Sequence, residues 1–338
     1  MRDISPESPE ARRKRVAKDK AKGRFGTIRK SFRPGSRPWE ILKRVAVGVY
    51  SDGFIHAGNL AYLALLSIFP FVIVAAAVAR LFGQTEEGLN AVNALLSTMP
   101  KDVADVLQRP IRDVIEARSG NLLWLGALVG LWSTGSFIET IRDIIRRAYG
   151  VTFSRPFWEY RLGSAGMIVA AVVVAMMAFA LSVFLSSIQQ FLVSEIPGAD
   201  DLVGLLTLLQ AAPALALFGS LYVLFYVLTP KRYRSGACPK WPGAAFVTGW
   251  WVITTALLPV ALSSLGGYDL TYGSLAGVII ALIFFFLIGL GLVIGAELNA
   301  ALAETPTPSQ EDVIAAVTEE AAEEAEHRAE DKAEQEEQ

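Results

Sequence analysis

From Gly163 to Ser194 the chain carries no charged residue. About 20 apolar residues are enough to cross a hydrocarbon core ~30 Å thick, and no soluble core requires so long an uncharged run. This stretch commits the chain to a membrane. Four further runs repeat the pattern, at about 57–82, 203–228, 243–265 and 273–302, and residues 121–138 form a shorter one. At 1.5 Å per residue even that one reaches about 27 Å. The expected fold class is all-α: a polytopic membrane protein built as a six-transmembrane-helix bundle. No cleavable leader is expected, because the first apolar run starts near residue 57, behind a polar segment.

The formal net charge of −2 is a cancellation between two ends. Residues 1–45 hold 15 Lys and Arg, whereas residues 303–338 hold 13 Asp and Glu against two basic residues. The connecting segments can be tested against the positive-inside rule. Residues 139–163 carry Arg142, Arg146, Arg147, Arg155 and Arg161, and residues 229–242 carry Lys231, Arg232, Arg234 and Lys240. Residues 83–120 are mixed, and 194–202 and 266–272 carry only acids. Every connection agrees with six spans and both termini in the cytoplasm. The expected domains are a basic cytoplasmic tail (1–45), a six-span membrane domain (46–303) and an acidic cytoplasmic tail (304–338).

Two segments show helical periodicity without being spans. In 89–117, apolar residues recur at three-to-four spacing, broken at Pro100 and Pro110. They predict amphipathic helices in the first outer loop, against the bundle or the headgroups. Residues 137–150 place Ile138, Ile141, Ile144, Ile145 and Ala148 on one face and Arg142, Asp143, Arg146 and Arg147 on the other. They predict an amphipathic continuation of the second span that turns at the interface. The lipid bilayer is the expected partner. The basic N-terminal tail suits contact with anionic lipid, although a plain orientation signal is the simpler reading. Nucleic acid is not an expected partner, and a homo-oligomer is left open.

Ionisable groups at membrane depth are costly and are functional candidates by default. Few exist here. His56, Glu139 and Glu297 all fall at the cytoplasmic boundary of their spans, with Asn299 beside Glu297. They form a candidate polar cluster with Asn59, Ser67 and Ser133. Glu297 is expected to bond toward Asn59, Ser133 or Thr134, either fixing the bundle or acting as a gate. A single cysteine and two histidines leave little for a metal site, and no cofactor is expected. Phosphate-binding glycine loops, H-E-x-x-H and the nucleophile elbow are all missing, so no enzyme activity is expected.

Three stretches then become familiar in combination: "AGNLAYLALLSIFPFVIV" (57–74), "LWSTGSF" (131–137) and "YGSLAGVIIAL…GAELNAAL" (272–302). Together they resemble the YihY/BrkB family of bacterial inner-membrane proteins across roughly residues 40–303. The resemblance implies six spans with cytoplasmic termini. It implies no firm activity: members have carried the label ribonuclease BN, for which this sequence offers no nuclease centre, and transport has been suggested for others. The matched positions are Asn59, Tyr62, Ser67, Pro70, Trp132, Ser133, Tyr272, Gly273, Glu297 and Asn299. The expectation is a transporter or a lipid- or solute-handling protein. A membrane scaffold or envelope-organising protein is the alternative.

Overall fold

The computed structural model describes residues 5–21, 37–81, 121–151, 161–170, 212–234, 238–264 and 275–304, with scattered positions in 96–108, at 158 and 173, and in 310–318. Among them there is no strand. The helices are α1 (Pro9–Ala21), α2 (Arg37–Gly48), α3 (Phe54–Leu81), α4 (Asn121–Tyr149), α5 (Ala212–Leu228), α6 (Lys231–Arg234), α7 (Trp241–Ser264) and α8 (Ala276–Leu302). A π-helical turn, Val49–Gly53, joins α2 to α3.

Helix α3 packs on α4 and α8, α8 on α7, and α7 on α5. Among the described residues two helices, Trp241–Ser263 and Ala276–Leu302, are long and apolar enough to cross a membrane, and Phe54–Ile68 and Ala214–Leu228 are shorter apolar helices. Most of the third expected span and the first half of the fourth lie outside the described residues, as do the turns between them. Outward-facing Leu215, Val223, Val252, Ile253, Leu257 and Val260 are exposed. Such an apolar surface is what lipid-facing helices present.

Two cores hold the bundle. One gathers Leu60, Ile145, Tyr149, Phe225, Tyr233, Val247 and Ala296 at the end of the bundle where α8 finishes. The other gathers Ile68, Leu258, Ile280 and Phe284 together with Leu96, Met99, Val103 and Leu107. The apolar stripe of 89–117 is thus buried against the bundle at its described positions. Backbone bonds from Val103 and Ala104 to the Pro100 carbonyl restart the helix after the proline.

Helix α4 departs from expectation. It runs unbroken for 29 residues, about 43 Å at 1.5 Å per residue. The turn comes only at Gly150, whose φ of 75° is open to glycine at little cost. The arginine-bearing side of its second half is also less exposed than predicted: Arg142 and Arg146 are buried.

Candidate functional site

Glu297 and Asn299 sit two positions apart near the end of α8. Residues at that spacing do not share a helix face, and the two side chains join different networks. The expected single polar cluster is therefore divided.

Asn299 faces α7. Its Oδ1 accepts the Gly243 N–H at 2.8 Å, and its Nδ2 donates to the Lys240 carbonyl at 3.2 Å. Gly243 lies in the first turn of α7, where backbone donors have no intrahelical partner. Asn299 supplies one from the neighbouring helix. The fit needs glycine, because a Cβ at position 243 would overlap the Asn299 amide and the Gly295 carbonyl.

Glu297 faces the π turn. A Cβ at Gly48 would overlap its carboxylate, so the side chain lies flat on the backbone where α2 gives way to the wider helix. Ser5 Oγ donates to Glu297 Oε2 at 3.3 Å. Beside this contact is a cavity of about 20 Å³, bounded by Ser5, Gly48, Ser51, His56, Val293 and Glu297 among others. That is roughly the room one water needs. Of the expected partners of Glu297, Asn59 points outward, the side chain of Ser133 lies outside the described residues, and Thr134 is buried elsewhere in α4. The partner is Ser5, which the sequence did not single out.

Ser5 belongs to a segment expected to be a solvated or lipid-facing tail. Residues 5–17 lie instead against the end of the bundle, with Ser5, Ser8, Glu10, Arg12 and Ala17 buried. Ser5 N–H donates to the Arg147 carbonyl. Ser8 caps α1 by accepting the Ala11 N–H at 3.2 Å, with Pro9 at the first helical position. Glu10 accepts from Tyr233 Oη at 2.6 Å and from Arg232 at 3.1 Å. Burial first, then that bond to Glu10, raises Tyr233 above the ordinary tyrosine range and keeps its phenol a donor. Arg12 Nη2 donates to the Ala300 and Ala303 carbonyls, 3.0 Å each. Those are free carbonyls at the negative end of α8, where a cation is favoured. Burial and nearby Arg44 pull Arg12 down to about 10, so it docks as a cation at neutral pH. The sequence signal for this segment was Ser8-Pro9-Glu10, a helix start masked by the basic residues that follow.

Glu139 forms a third, separate site. It pairs with Arg161 at 3.5 Å. Arg161 also donates to Ser136 Oγ and the Trp132 carbonyl, and its guanidinium lies 4.2 Å from the centre of the Trp132 ring. Tyr62 is exposed and Ser67 buried on α3. Pro70 lies within α3, but its side chain is outside the described residues, as are Tyr272 and Gly273 altogether. Among the described residues no group of three or more His, Cys, Asp or Glu side chains converges.

Comparison with known proteins bears on residues 50–318, which match the family model described as virulence factor BrkB. The chain is 31% identical over 255 residues to the ribonuclease-like protein YfkH of Bacillus subtilis (strain 168), covering 74% of this chain and 90% of that one. It is 26% identical over 258 residues to a UPF0761 membrane protein of Pseudoalteromonas translucida (73% and 80% covered). A UPF0761 membrane protein of Alteromonas mediterranea is 25% identical over 258 residues (74% and 83% covered). No solved structure matches.

Proposed function

Because the chain belongs to the virulence factor BrkB family of membrane proteins, we propose that it is a six-span transporter of the bacterial inner membrane, with both termini in the cytoplasm. The observation that carries this reading is the Glu297 cavity. Glu297 on α8 and His56 on α3 face one water-sized space at the end of the bundle that the loop charges assign to the cytoplasm. Helices α3, α4, α5, α7 and α8 fall on five of the six apolar runs, which supports the span count.

A carboxylate facing so small a space suits a proton or a monovalent cation better than an organic solute, and Arg147, which also lines it, is paired with Asp143. The Glu297 end then acts as the cytoplasmic gate. The ribonuclease-like name of the Bacillus relative is not carried over to this chain.

The test is flux in proteoliposomes carrying an internal pH-sensitive dye under an imposed potassium potential, repeated with sodium. The wild type is expected to pass protons or the cation. Glu297→Gln is expected to insert at wild-type levels and pass neither. Wild-type vesicles no leakier than empty ones would overturn the reading.

A second reading, a membrane scaffold, draws on Asn299, whose bonds go to backbone and join two helices. It expects no flux, and a Glu297→Gln protein that fails to accumulate.

A further inference from the structure

The geometry points to residues 5–17 as a detachable plug that closes the cytoplasmic mouth over Glu297. This deepens the transport reading and rests on it.

The segment is seated where a gate would act. Ser5 is both the hydrogen-bond partner of Glu297 and a wall of the cavity. Removing it exposes the carboxylate to the cytoplasm. The family match begins at residue 50, so the plug is an addition to the matched domain.

The way it is held makes it releasable. Its buried residues are mostly small or polar: Ser5, Ser8, Glu10 and Arg12, with Pro9 and Ala17 the apolar ones. Little apolar area fastens it, so it belongs to the low-stability end of the molecule, where local opening is easiest. Helix α1 has 13 residues, too few to be more than marginally helical alone. Its seat depends on two charged anchors. Glu10 grips Tyr233 and Arg232 on α6, and Arg12 grips the end of α8. The anchors reach the bundle at separate points, so each can be removed without touching the cavity.

The anchors also connect to the helix that carries Glu297. Tyr233 donates to Glu10 and, through its carbonyl, accepts from Lys240 Nζ. The Lys240 carbonyl in turn accepts from Asn299. Undocking the plug therefore loosens a chain of bonds that ends on α8, two residues from the carboxylate.

Val293 lines the cavity and is buried, so a cysteine there reports opening. In a full-length Cys238→Ala, Val293→Cys protein, the rate of reaction with a cationic, membrane-impermeant methanethiosulfonate reads plug withdrawal directly. Glu10→Ala and Arg12→Ala, made separately, are each expected to speed labelling about tenfold, the factor a lost charge-assisted hydrogen bond contributes to an opening equilibrium. Lys14→Ala, on the exposed side of α1, is expected to leave the rate unchanged. Matching elution volumes in detergent confirm that the variants are folded. Equal rates in wild type and both anchor variants would overturn the plug. Faster labelling without proton or cation flux would keep the plug and sink the transport reading instead.

Discussion

Asn299 Oδ1 accepts the backbone N–H of Gly243 at 2.8 Å, and this bond ties the end of α8 to the start of α7. Both residues are buried. Asn299→Leu leaves the Gly243 donor and the Lys240 carbonyl without this partner. An unsatisfied buried polar group costs about 1–3 kcal/mol, so a clear drop in the thermal unfolding midpoint in detergent is expected. Gly243→Ala drives a methyl into the Asn299 amide and the Gly295 carbonyl and should lower the midpoint comparably. If both variants melt with the wild type, Asn299 does not hold the helices together.

Gly48 and Gly58 offer a paired test of the Glu297 seat. A Cβ at Gly48 overlaps the carboxylate, whereas a Cβ at Gly58 meets nothing within 4 Å. Gly58→Ala exchanges a poor helix former for the best one, a gain of up to about 1 kcal/mol. Gly48→Ala must push Glu297 out of place and is expected to reduce both stability and flux. The comparison is made by melting both proteins and assaying both in vesicles. Equal behaviour would mean that Glu297 is not held against Gly48.

How far the sequence foresees this arrangement depends on the residue. The long uncharged runs identify helices α3, α5, α7 and α8, because hydrophobic length is a one-dimensional property. His56, Glu139 and Glu297 are legible as edge residues, since each lies at the edge of an apolar run. Their grouping is not. Depth fixes position along a helix axis but not around it, and the two-residue offset between Glu297 and Asn299 sends them to different neighbours. Glu139 is claimed by Arg161, which sits 22 positions later in the chain, beyond the end of α4. The plug is the largest surprise. Counting the positive charge of residues 1–45 hid the helix start at Ser8-Pro9-Glu10, and nothing local could show that Arg12 would find the carbonyls at the end of α8.

The Glu139–Arg161 pair is partly covered, with side-chain exposures of 22% and 11%. Exposed ion pairs contribute little, but Arg161 also holds Ser136 and the Trp132 carbonyl. Arg161→Ala is expected to destabilise the protein by about 1–3 kcal/mol. Arg161→Lys should rescue it only partly, because an ammonium lacks the planar fork that meets these acceptors together. Adding Glu139→Gln to Arg161→Ala should recover part of the loss, by removing a carboxylate left without its cation. A double-mutant cycle on unfolding free energies measures that coupling. A coupling of zero would show that Glu139 contributes nothing to holding Arg161.

Trp250 tests close packing deeper in the bundle. Its Nε1 donates to the Leu287 carbonyl at 2.8 Å, and its indole lies where a Cβ on Gly291 would be. Leu287 and Gly291 are one turn apart, so the glycine opens the groove through which the indole reaches the carbonyl. Gly291→Ala should force the ring away and break the bond, outweighing the gain in helix propensity. Trp250→Phe loses the bond but keeps most of the ring, and should cost about 1 kcal/mol. In the Gly291→Ala, Trp250→Phe double variant the smaller ring leaves room for part of the new methyl. It should therefore be more stable than the sum of the two single losses predicts. Unfolding midpoints of the four proteins in detergent decide it. Strict additivity would mean that Gly291 is not there to admit Trp250.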